Sequence, residues 1–162
     1  MHSIYIATGS NIGDRSQNLN LAKYHLQNNV GKILHSSSIY ETAPWGKSDQ
    51  DNFYNQVHHI QTSYNADDVM KKCLRIETSM GRIRTIKNAP RLIDLDILFF
   101  DDEVIDLPEL KIPHPEIPNR RFVLEPLTEI APELVHPILN TSIKALLAKT
   151  TDSLVVARSS PS

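Results

Sequence analysis

Several things are scarce in this chain, and each scarcity excludes something. There is one cysteine, Cys73, among 162 residues. No intrachain disulfide is therefore available, and a fold stapled by bridges is ruled out. Cys73 lies in a helical pattern with apolar neighbours and is expected to be a buried structural thiol rather than a nucleophile. Positive charge is not in excess: 17 Lys and Arg stand against 19 Asp and Glu, a net charge of −2. That balance speaks against a generic nucleic-acid binder. No apolar run approaches the ~20 residues of a membrane span. The opening "MHSIYIATGSN" lacks the charged and long apolar regions of a secretory signal. Together these features predict one cytoplasmic domain over residues 1–162, with no membrane and no nucleic-acid partner, and a monomer is expected. The length suffices for a real core.

Pattern places the elements. "SIYIAT" alternates as a short buried strand, and "GSNIGD" supplies turn residues, with Gly9 and Asn11 read as making the turn. Asp14 is positioned to cap a helix carrying Leu19, Ala22 and Leu26, which runs up to "NNVG". A second strand is expected over 32–40 and a third over 53–63, where Phe53, Asn55, Val57 and His59 share a face. Asn65 caps a second helix, Asp67 and Asp68 suit its positive end, and Gly81 stops it. Residues 90–100 form a fourth strand, leading through "DDE" to "VIDL". Pro108, Pro113, Pro115 and Pro118 then exclude a helix or an inner strand. A last helix is expected over 141–149, and about 155–162 reads as a frayed tail. The order β-α-β-β-α-β predicts an α+β ferredoxin-like sandwich: a mostly antiparallel sheet with helices on both faces.

The strand "PRLIDLDILFF" is the unusual element. Asp94 and Asp96 interrupt its apolar residues. Two apart on a strand, they share a face and can converge on one volume. Like charges so placed oppose folding unless something positive compensates. A cation such as Mg²⁺ is suited to this, since it takes oxygen ligands from one or two carboxylates plus substrate phosphates. Charge clustering supports that reading. Residues 71–91 hold seven of the basic residues and one acid, Glu77, whereas residues 92–109 hold seven acids and no base. Lys71 and Lys72 are expected on a solvated helix face. Arg82, Arg84 and Arg91 lie beyond the helix, where guanidinium groups could clasp phosphate oxygens.

Other phosphate and metal motifs are missing. "WGKS" at 45–48 half-matches a Walker A ending, but Glu41 stands where that motif needs glycine. No G-x-G-x-x-G or H-E-x-x-H occurs. His58 and His59, adjacent on a strand, must face opposite ways. His114 is held between two prolines near Arg120 and Arg121, which suits a phosphate or nucleotide contact or a solvent-facing turn.

"KNAPRLIDLDILFF" resembles the signature of the 6-hydroxymethyl-7,8-dihydropterin pyrophosphokinases of folate biosynthesis. "YIATGSNIGDR", "YETAPWG", "FYNQV", "RIETSMGRIR" and "PHPEIPNRRFVLEPLTEIAP" match in the same order. The resemblance implies transfer of pyrophosphate from ATP to the pterin hydroxymethyl group, with AMP released and two Mg²⁺ ions serving the ATP. It implies Asp94 and Asp96 as metal ligands, with Arg82 and Arg91 completing the catalytic set on the phosphates and Arg84 in the same loop. It implies Thr42, Ala43, Pro44, Trp45, Phe53, Asn55 and Phe122 for the pterin, and Glu77, Ile97, His114 and Arg120 on the ATP side. Ala43 stands where many members carry proline, and Asn88 where some carry tryptophan. The residues by themselves leave a second reading open, a ferredoxin-like module that binds nucleotide without turnover.

Overall fold

The computed structural model describes residues 1–42, 52–81 and 92–159. Strand β1 (His2–Ser10) is central. Helix α1 (Arg15–Asn29), β2 (Lys32–Ser36), β3 (Tyr40–Thr42) and β4 (Phe53–Thr62) follow, then α2 (Ala66–Ser79) and β5 (Asp94–Phe100). Near the C-terminus lies β8 (Val156–Arg158), and among the described residues all pairings are antiparallel, in the order β5-β1-β4-β3-β8, with β2 also on β4. This is the expected ferredoxin-like arrangement.

The helix ends form as the sequence predicts. The Asp14 carboxylate accepts from the Gln17 N–H at 3.1 Å, and the Asn65 side chain accepts from the Asp68 N–H at 2.8 Å. Each satisfies an amide that the first turn leaves without a partner. Gly81, at φ +93°, ends α2 in the left-handed region. Leu19, Ala22 and Leu26 of α1 and Val69, Cys73 and Ile76 of α2 bury against Ile4, Ile6, Ile60 and Ile97 on one sheet face. On the other face α3 (Arg121–Ile130) and α4 (Ile143–Lys149) cover Tyr5, Val57, Leu98 and Phe99 with Val123, Leu124, Leu127, Ile143 and Leu146. The long apolar run of β5 thus serves two cores. Its register shifts where Tyr5 faces Phe99 and Ile6 faces Ile97, so Leu98 is an extra residue and both Leu98 and Phe99 join the second core.

Four expectations need correction. The strand expected over 32–40 breaks after Ser36. The Ser37 N–H donates to the Val57 carbonyl, while its Oγ accepts from the Val57 N–H at 3.0 Å. This bends the chain before β3 resumes at Tyr40. Gly9 lies inside β1, not in the turn, which follows it with Gly13 at φ +71°. Helix α3 is not among the expected elements, and Pro126 sits within it. Three buried leucine and valine side chains hold the helix against the lost bond. The tail is not frayed through 158: β8 (Val156–Arg158) pairs with Tyr40–Thr42. Between the prolines, β6 (Ile105–Leu107) and β7 (Leu110–Ile112) make a hairpin outside the main sheet, followed by a short 3₁₀ turn over Ile117–Asn119.

His58 and His59 do face opposite ways. His59 stacks on Tyr5 at 4.4 Å between ring centroids, whereas His58 is fully buried beneath α1 and bonded to the Ser36 hydroxyl at 2.8 Å. Burial, helped by the nearby Lys23 charge, lowers the His58 pKa to about 4. The unfolded ring takes up a proton near pH 6.5 and the folded ring only near pH 4. Between those values the unfolded state binds more protons, so stability rises with pH. The expected slope from this group is about 1.4 kcal/mol per pH unit and roughly 3 kcal/mol in total. Urea denaturation from pH 7 to pH 4 on the wild type and on His58→Gln checks it: the difference between the two curves should carry that slope.

Candidate active site

Three strands bring the sequence-predicted residues into register. Gly9 of β1 lies directly between Asn55 of β4 and Asp94 of β5. One step along, Ala7 lies between Val57 and Asp96. Cross-strand partners share a face, so Asn55, Asp94 and Asp96 all project from the side that α3 covers. Both aspartates are half-buried. Phe53 is on the same face, with its ring 3.8 Å from where a Gly9 β-carbon would stand. The Asn55 side-chain NH₂ donates to the Thr42 hydroxyl at 2.9 Å, which fixes the amide. Phe122, in the first turn of α3, packs on this same core, and the Arg120 guanidinium lies 5.6 Å from its ring centre.

β5 is an edge of the sheet, and one outward amide and one outward carbonyl on it are bonded. The Leu95 N–H, between the two aspartates, donates to the Glu77 carboxylate at 2.7 Å. The Leu98 carbonyl accepts from the His114 N–H at 3.0 Å. Glu77 is 1% exposed, a carboxylate spent inside the protein near the end of α2. The expected ATP residue is thus also the brace that holds the aspartate strand. The His114 Nδ1 accepts from the Glu116 N–H at 3.2 Å, which leaves the ring proton of the neutral form on Nε2. Burial, and then the Arg120 charge, hold the His114 pKa below its usual value, while Glu116 and Asp94 pull it upward.

Beside this edge opens a cavity of about 310 Å³, lined by Met70, Cys73 and Leu74 of α2, by Leu95, Asp96 and Ile97, by the 108–111 turn, and by His114 and Pro115. Its size and mixed lining suit a small ligand with a flat apolar part. Asp96 belongs to both the sheet row and the cavity, so the two spaces meet at Asp96. Cys73 is buried as expected, and burial first, then the Glu77 and Asp96 charges, push its thiol pKa far up, which keeps it inert. Lys71 pairs with Asp67 at 2.9 Å and Lys72 lies over the Tyr64 ring, away from the cavity lining. Ala43, Pro44, Trp45, Arg82, Arg84 and Arg91 fall outside the described residues. Met70, Leu74 and Lys111 were not foreseen as lining; only the i, i+4 spacing of Met70 and Leu74 hinted at a shared stripe.

Residues 5–132 match the family described as 7,8-dihydro-6-hydroxymethylpterin-pyrophosphokinase (HPPK). The chain belongs to this family. It is 37% identical over 93% of its length to the 2-amino-4-hydroxy-6-hydroxymethyldihydropteridine pyrophosphokinase of Aquifex aeolicus, covering 94% of that protein. It is 43% identical over 80% of its length to the Bacillus subtilis protein of the same name, covering 78% of it. It is also 38% identical, over 93% of its length, to the folic acid synthesis protein fol1 of Pneumocystis carinii. Of that last protein it spans only about a fifth. Among solved structures, a Plasmodium falciparum HPPK-DHPS shares the fold at TM-score 0.74 and 19% identity, over 91% of this chain and 43% of the other.

Two oxygen-donor carboxylates on one half-buried strand face, of which Asp96 also lines the cavity, fit a hard cation such as Mg²⁺. Their spacing depends on the brace at Leu95. Glu77→Ala should lower the unfolding free energy by about 2 kcal/mol, since it strands a buried amide. Glu77→Gln, which keeps an acceptor, should recover most of that loss in the same urea titration.

Proposed function

We propose that this HPPK-family chain transfers the β,γ-pyrophosphoryl group of ATP to the hydroxymethyl oxygen of 6-hydroxymethyl-7,8-dihydropterin and releases AMP. The observation that carries the reading is the meeting of an amide-bearing row, Asn55 with Phe53 and the two aspartates, and a cavity of about 310 Å³ at Asp96. Asn55 offers a donor and an acceptor to the pterin's polar edge. Thr42 supports it, Phe53 and Phe122 offer ring faces, and Ala43, Pro44 and Trp45 are the further pterin residues that the family resemblance implies. The cavity takes the nucleoside against Ile97, with His114 and Arg120 toward its phosphates.

Asp94 and Asp96 would hold the two Mg²⁺ ions that accompany ATP. Bound there, the cations would neutralise phosphate charge and acidify the attacking alcohol. The rest is positioning. The acceptor oxygen forms a bond to the β-phosphorus, the bond from that phosphorus to the α,β-bridging oxygen breaks, and AMP keeps that oxygen. The alcohol proton passes to solvent. Arg82 and Arg91, with Arg84 beside them, would meet charge as it spreads over the transferring group. We read the chain as a cytoplasmic enzyme working as a monomer.

Nucleotide products separate this reading from a binding module: AMP should appear only when the pterin is present, and ADP or no product would refute it. Asp96→Ala should abolish Mg²⁺-dependent ATP binding by calorimetry and lower turnover by about a hundredfold or more. Asn55→Ala should weaken pterin binding by about tenfold and leave ATP affinity unchanged.

A further inference from the structure

Gly9 is the one residue that separates the amide at Asn55 from the carboxylate at Asp94. It is a buried strand residue where strands disfavour glycine. Nothing in the local backbone requires it, since no positive φ is recorded there. What requires it is space. A β-carbon at this position would stand 3.0 Å from the Asn55 Oδ1 and 3.8 Å from the Phe53 ring. The amide cannot readily swing aside, because its NH₂ is bonded to Thr42 at 2.9 Å and Asn55 is only 8% exposed. With glycine, the sheet surface between the two side chains is bare backbone. Adjacent antiparallel strands place directly opposed residues about 4.5–5.5 Å apart, so Asn55 and Asp94 stand about 10 Å apart across this floor.

We propose that Gly9 is a specificity-determining residue of the acceptor site. Its bare Cα forms the floor over which a flat heterocycle extends a short primary-alcohol arm from the Asn55 amide to the Asp94 carboxylate. The proposal rests on the acceptor chemistry given above. It also defines the acceptor class: a planar ring, matched to an amide edge, whose alcohol carbon lies flat on the sheet. A side chain at position 9 would lift the arm off the floor and separate the oxygen from the metal ligands.

Steady-state kinetics on Gly9→Ala test it. The pterin KM should rise by about tenfold or more, while the affinity for a non-hydrolysable ATP analogue with Mg²⁺, measured by calorimetry, stays within about twofold. Thr8→Val, on the opposite face of the same strand, controls for perturbation of β1 and should leave the pterin KM within about twofold. Asn55→Ser removes the oxygen that the new β-carbon would strike, and so relieves any collision that prevents folding. In that background Gly9→Ala should still weaken pterin binding. If it costs nothing there, or if Gly9→Ala alone leaves pterin kinetics unchanged, the floor is not contacted and the proposal fails. The same assay on the wild type separates the two readings: no AMP from the wild type refutes the activity, whereas wild-type turnover without a Gly9 effect refutes only this inference.

Discussion

The hydrogen bond from the Leu95 N–H to the Glu77 carboxylate is the contact on which the site depends. An edge strand is bonded on one side only and is otherwise free to breathe. Here the free side is taken by a buried acid from α2 and by the His114 amide. Leu95 sits between the two aspartates, so fixing its backbone fixes both carboxylates. Glu77 is in turn fixed because Val69, Cys73 and Ile76 of its helix are buried in the first core. The chain of causes runs from apolar spacing in α2, to a placed carboxylate, to a rigid edge, to two oxygen donors at constant separation. A hard cation with strict geometry needs that constancy.

The two cores give the site its two sides. Helix α3 and the second core cover the row that carries Asn55 and Phe53. Helix α2 and the β6–β7 hairpin flank the cavity. The substrates of a group transfer must arrive from separate pockets and meet at one point. β5, at the edge of the sheet, can face both, and Asp96 does: it stands beside Ala7 on the sheet and also lines the cavity. A central strand could not serve two such spaces, because its flanks are filled by neighbouring strands.

Local chemistry made much of this legible in the sequence. Asp14 and Asn65 cap because short acceptor side chains before a helix have one good use. Asp94 and Asp96 share a face because strand alternation leaves no choice, and His58 and His59 part for the same reason. What could not be read depends on partners distant in sequence. Helix α3 survives Pro126 because Val123, Leu124 and Leu127 reach the sheet. Residues 156–158 form a strand because β8 meets β3, and because Arg158 lies 3.3 Å from the Tyr40 hydroxyl and 3.8 Å from Glu129. Met70, Leu74 and Lys111 meet only once the hairpin folds against α2 and β5. Gly9 was read as a turn from its neighbours Ser10 and Asn11, although only its strand partners explain it.

The row Asn55–Gly9–Asp94 is informative because it breaks three strand preferences at once. Strands favour branched apolar and aromatic side chains and are depleted in Asn, Gly and Asp. Asn55 instead brings a polar group that must be bonded, Gly9 gives up packing and costs unfolded-state entropy, and Asp94 adds charge. Any one of these could be a tolerated accident. Three in a single cross-strand line, with the well-packed Ile4, Ile6 and Ile60 on the other face of the sheet, are not what folding alone would select. The fold is intact because the opposite face of the same strands buries Ile4, Ile6, Ile60 and Ile97 in the first core. The stability secured on that face lets this one carry residues chosen for a ligand.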